Sequence, residues 1–98
     1  MKISYSLESI RDLIRLRKFI EVKNPDAAAR IASELLVGID NLKSFPRMGL
    51  PVSHAPDPDV IRDLFVSKYI VRYLLRSEDF FILRVWHEKE IGKDFVEK

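Results

Sequence analysis

The 98-residue sequence predicts an α+β fold: an N-terminal strand, an antiparallel helical hairpin, then a three-stranded antiparallel meander, all forming one twisted sheet. Two observations predict it. Apolar residues recur close to the helical repeat of about 3.6 through the first half, and from Val60 onward the spacing changes to two or to continuous β-branched and aromatic runs. The intervening stretch GLPVSHAPDPD has prolines and no periodicity, so it reads as a loop.

Each element follows in order. KISY is short and fits an edge strand. Leu7, Ile10, Leu13, Ile14, Leu16 and Ile20 form the stripe of a first helix, with Ser6 as its N-cap. Asn24-Pro25 ends it, because proline disfavours helical geometry in the residue before it and fits the first turn of a new helix. Ala28, Ile31, Ala32, Leu35, Ile39 and Leu42 continue on a second helix, which Pro46 is expected to stop. The runs VIRDLFV, YIVRYLL and FFILRVW are the three strands, parted by Ser67-Lys68 and Ser77-Glu78-Asp79. No repeat or linker divides residues 1–98, so a single domain is expected.

Composition narrows the chemistry. With 47% hydrophobic and 33% charged residues the chain can bury a small core, and with no cysteine it has no disulfide or thiolate, as suits a cytoplasmic protein. No apolar run approaches the roughly 20 residues needed to cross a bilayer, and MKISYSLESIRD lacks the apolar core of a signal peptide. Net charge is only +2, yet Arg62, Lys68, Arg72, Arg76 and Arg84 fall in or beside the C-terminal runs, where a local basic face could form.

His54 and His87 lie far apart and in no metal-ligand spacing, while Gly38, Gly49 and Gly92 are isolated, so neither a metal nor a phosphate-cradling cofactor is expected. No serine sits in a G-x-S-x-G elbow. The surviving option is acid/base work by His87 beside Arg62 and Arg84, if strand pairing gathers those arginines on one face. Against it stands the ordinary use of strand arginines in solvent or in ion pairs, for instance with Asp63 or Glu88. Arg62, between apolar Ile61 and Leu64, is expected to be partly enclosed and held by hydrogen bonds. Strand aromatics, Trp86 at a strand end included, serve packing more often than base stacking.

In order and spacing, ESIRDLIRLRKFI, NPDAAARI, LKSFPRMG, IRDLFV, YIVRYLL and ILRVWHEKE resemble the RelE/ParE superfamily of type II toxin–antitoxin toxins over nearly the whole chain. The resemblance implies the fold already read, a cognate antitoxin that wraps the toxin in a hetero-oligomer, no cofactor, and one of two poisons. ParE-like members inhibit DNA gyrase; RelE-like members cut messenger RNA on the ribosome. A degenerate toxin that keeps only antitoxin binding is a third reading.

In the RelE branch a basic loop, strand arginines and a C-terminal base or acid form the site. Arg62 matches that pattern, and Arg84 and His87 match it approximately. The basic loop is missing, since PVSHAPDPDV has no lysine or arginine and carries Asp57 and Asp59. NPDAAARI and VWHEKE are similar to the ParE branch. The resemblance therefore favours a gyrase inhibitor, with His87 structural or in recognition rather than a catalytic acid. Candidates for contact with antitoxin or target are Arg62, Arg72, Arg84, Trp86 and His87, together with Ile91 and Phe95 of a tail whose apolar residues fall at helical spacing.

Overall fold

A computed structural model describes residues 2–90. Strand β1 (Lys2–Tyr5) leads into helices α1 (Leu7–Lys23) and α2 (Pro25–Asp40), a 3-10 turn over Asn41–Lys43, and strands β2 (Leu50–Pro51), β3 (Ile61–Val66), β4 (Tyr69–Leu75) and β5 (Asp79–His87). A second 3-10 turn covers Glu88–Glu90. The α+β class and the meander are as the sequence predicts.

Local chemistry sets the helix ends. The Ser6 hydroxyl accepts the Ser9 N–H at 3.0 Å and donates to Leu83 O at 2.8 Å, so one side chain caps α1 and ties it to β5. Asn24 serves both helices: its N–H donates to Ile20 O at 2.8 Å, and its side-chain oxygen accepts the Ala27 N–H at 3.0 Å. Pro25 follows in the first turn of α2. That helix does not run on to Pro46. It tightens into the 3-10 turn after Asp40, where the Ser44 and Phe45 amides both donate to Asn41 O.

The sheet has five strands in the order β1-β5-β4-β3-β2. β1 joins the meander at an edge, parallel to β5. The other edge is unforeseen: Leu50 and Pro51, inside the expected loop, pair with Asp63 and Arg62. A bulge opposite Arg72/Tyr73 leaves Leu83 without a β4 partner, so Ile82 and Val85 both point inward although their spacing is odd.

The helices cover one face, and the core between them and the sheet is built from Leu16, Leu35, Ile39, Leu42, Leu64, Val71, Tyr73, Phe80, Ile82 and Val85. The α1 stripe differs from the apolar periodicity. Its buried residues are Ser9, Asp12 and Leu16, whereas Leu7 is 58% and Ile14 51% exposed. Asp12, which serves β5, and Ser9, bonded to the cap residue Ser6, face inward, and Leu7, Ile10 and Ile14 are left outside.

This placement is checked by urea unfolding of two variants. Leu16→Ala should cost about 2–5 kcal/mol, because it opens a cavity in the core. Ile14→Ala should stay within roughly 0.5 kcal/mol of the parent.

Candidate functional site

Arg62 is the keystone of the loop before β3. Its side chain enters the helix-covered face, is 7% exposed, and donates from Nε to Gly49 O at 2.8 Å and from Nη1 to Asp59 O at 2.9 Å, with a longer 3.4 Å contact to Arg47 O. The buried Tyr73 opposite it donates its hydroxyl to Pro46 O at 2.8 Å and accepts the Gly49 N–H at 3.0 Å. Gly49 passes so close that a Cβ there would lie 2.8 Å from the Tyr73 ring. Outside, Arg47 is ion-paired to Asp59. Burial pushes the Tyr73 phenol above its ordinary value, against the downward pull of its bond to Gly49 and of the neighbouring Arg62 charge.

A second network runs along the free side of β5. β1 pairs only as far as Tyr5 with Ile82, and the next inter-strand bond comes from the Ser6 N–H to Ile82 O. Beyond it the Val85 N–H donates to the buried Asp12 carboxylate at 2.9 Å, and the His87 N–H to Glu90 at 2.9 Å. Arg84 reaches the same Asp12 with two bonds of 2.8 and 3.1 Å, and Arg15 joins Asp12 to Glu90 at 3.6 and 2.6 Å. His87 Nδ1 accepts the Lys89 N–H at 3.0 Å, and its ring meets Tyr69 edge-on at 5.0 Å. Burial, then the nearby Glu90 charge, raise the Tyr69 phenol; burial, then Asp40, raise that of Tyr5.

On the outer face Arg72 makes two bonds to Asp63, at 2.8 and 3.0 Å, and lies over the Trp86 ring at 5.1 Å. Trp86 is only 5% exposed. Strand register separates the two arginines that acid/base chemistry would need together. Arg62 aligns with Tyr73 and Ile82 on the helix side, whereas Arg84 aligns with Arg72 and Asp63 on the other. The expectation of one shared face fails because the pairing register and the β5 bulge set their phases apart. Ile91 and Phe95 lie outside the described residues.

The remaining feature is apolar. A groove of about 240 Å³ runs between the helices, lined by Leu13, Ile14, Ile31, Ala32 and Leu36 among others, with Arg17 at its rim. Ala28 and Ala32, with short side chains that leave space unfilled, also line it. The adjoining surface of α1 carries exposed Leu7 and Ile10 beside Arg11 and Lys18, which have no carboxylate partner among the described residues. Among these residues no group of three acidic or histidine side chains is placed to hold a metal ion, and no helix is long and apolar enough to cross a membrane.

Residues 3–92 match the family model of the ParE toxin of the type II toxin–antitoxin system parDE. This chain belongs to that toxin family. It is 31% identical over 86 residues to toxin Y4kP of Sinorhizobium fredii, covering 88% of this chain and 86% of that one. It is 29% identical over 89 residues to toxin RelE1 of Caulobacter vibrioides, covering 87% and 90%. A structure of the chromosomal ParDE system from P. aeruginosa superposes with a TM-score of 0.74 at 16% identity, over 89% of this chain and 95% of that one, and shows the same fold. As a toxin of such a system the protein has an antitoxin for its partner.

Sequence reasoning missed Asp12, Arg15, Tyr73 and Glu90. An aspartate in the middle of a helix, three residues before an arginine, was the available signal for the first two. Nothing local marks Tyr73, whose partners lie across a loop.

Two measurements test this site. Arg62→Ala should lower stability by about 1–3 kcal/mol, because it orphans buried loop carbonyls. All three phenols are raised in the fold, so they hold their protons where the unfolded chain has lost them. Their stabilisation is complete below the ordinary value of 10.0 and is lost as pH rises through the folded values. Phenolate absorbance of the native protein should therefore rise at higher pH than that of the urea-unfolded chain.

Proposed function

We propose that this toxin inhibits DNA gyrase in the cytoplasm, cuts no RNA, and is neutralised when a helix of its antitoxin fills the groove between α1 and α2. One observation carries the non-nucleolytic part. The groups an RNase would need are engaged by the fold: Arg62 by loop carbonyls, Arg84 by Asp12, and His87 Nδ1 by a main-chain amide. Among the described residues a phosphodiester has no assembled set of cations to meet in this part of the sheet, and catalysis of this kind usually depends on such electrostatic preorganisation more than on anything else.

The antitoxin part rests on chemistry. An amphipathic helix lays apolar side chains at i, i+3, i+4 and i+7 into such a groove, and acidic residues on its flanks would face Arg11, Arg17 and Lys18. The likeness to a toxin named RelE1 keeps a ribosome-dependent RNase as the second reading.

Induction in cells separates the two. Gyrase inhibition gives a DNA-damage response with filamentation and no codon-specific cuts in messenger RNA, and prompt cleavage would overturn it. His87→Gln should keep substantial toxicity. An enzyme that relied on this proton donor would lose roughly 100-fold to 10,000-fold in rate.

A further inference from the structure

Large apolar side chains gather at the β2 edge of the sheet. Phe45 is 63% exposed, Met48 43%, Leu50 62% and Phe65 59%. Strand register explains part of this cluster: Leu50 pairs with Asp63, so it shares a sheet face with Asp63 and with Phe65 two residues on. The chain before it turns back on itself, with the Met48 N–H donating to Phe45 O at 3.1 Å. One such side chain in solvent is ordinary, whereas a cluster marks a contact surface.

A hollow of about 450 Å³ opens between Met48, Leu50 and Phe65 and the end of α2 at Gly38 and Asn41. Phe45 stands beside it, on the far side of Met48, which borders both this hollow and the shallow one around Phe45 and Pro46. An exposed ring therefore lies next to a hole. The edge itself is blunted: the Val52 N–H points back to Ile61 O and amides alternate along a strand, so the position that would donate outward is Pro51. Whatever binds here does so through side chains and not by extending the sheet at β2.

Charge decides which partner suits this surface. Among the described residues, every ionised side chain that lines either hollow is paired within the chain, Arg47 with Asp59 and Asp63 with Arg72. A surface with surplus charge of one sign repels its own copy, as Arg11 and Lys18 would beside the exposed face of α1. This neutral, apolar one meets its own copy without that cost.

We propose that the patch is the interface of a two-fold symmetric dimer of this chain, in which Phe45 of each copy enters the hollow between Met48, Leu50 and Phe65 of the other. A two-fold axis makes that contact twice. None of these residues lines the groove between α1 and α2, so the dimer leaves the groove open. Phe45 and Phe65 each offer more than half of the roughly 150–250 Å² that a fully buried aromatic covers, so with Met48 and Leu50 the interface falls short of the roughly 800 Å² per partner of a standard one. The dissociation constant should accordingly lie at roughly 1–100 μM.

Sedimentation velocity of the purified toxin, from about 1 to 500 μM, tests this. The parent should pass from monomer to dimer across that range. Phe45→Lys and Phe65→Asp should each weaken association at least about tenfold. Both positions are exposed, so the melting temperature should stay near that of the parent. Mixing the two variants should restore the dimer, because the introduced ammonium then faces the introduced carboxylate at one contact and the parent pair remains at the other. A parent that stays monomeric throughout, a dimer that neither variant weakens, or variants that do not recover on mixing would overturn the proposal. A monomeric parent whose Phe65→Asp variant loses antitoxin affinity or toxicity would assign the patch to the antitoxin or the target instead, and would equally overturn it.

Discussion

The main-chain amides of β5 past the end of β1 set the strongest constraint on this molecule. β1 is four residues long and β5 nine, so among the described residues no strand receives the Val85 and His87 amides. A buried unpaired N–H costs about 1–3 kcal/mol. Asp12 and Glu90 take the place of the missing strand, and much else follows. Asp12 must face the sheet, which fixes the rotation of α1 and sends Leu7, Ile10 and Ile14 outward. A carboxylate buried there needs a counter-charge, which Arg84 supplies with two hydrogen bonds. Glu90 needs one as well, and Arg15 links the two acids.

A similar economy governs the other end of the sheet. The segment from Pro46 to Asp59 has little regular structure, and Arg62 and Tyr73 supply from below the hydrogen bonds that a ladder would otherwise give it. Functional consequences are direct. Arginines that a sequence pattern offers to phosphate are held by carbonyls or carboxylates. What the fold leaves open among the described residues is apolar surface, flanked on α1 by cations. Such surface suits binding a protein, as a toxin with an antitoxin requires.

Much of this was legible, and the parts that were not share a cause. Ser6, Asn24 and Pro25 act through their nearest neighbours, so their roles could be read locally. The strands were plain because β-branched and aromatic runs leave few alternatives. The inward face of α1 was not, since a count of apolar periodicity is blind to Ser9 and Asp12. Ile82 and Val85 both face the core only because a bulge at Leu83 shifts the phase, which strict alternation cannot foresee. Enclosure of Arg62 was expected from Ile61 and Leu64, but its separation from Arg84 depends on register, which only assembly fixes. β2 is two residues long and carries no pattern of its own.

A double-mutant cycle between Asp12 and Arg84, read as urea unfolding free energy, tests most directly whether Arg84 is engaged by the fold. The variants Asp12→Ala and Arg84→Ala and their combination should give a coupling energy above about 1 kcal/mol, as expected for a largely buried pair with two hydrogen bonds. A coupling below roughly 0.5 kcal/mol, the level of an exposed surface pair, would contradict the account and return Arg84 to the residues available for a ligand.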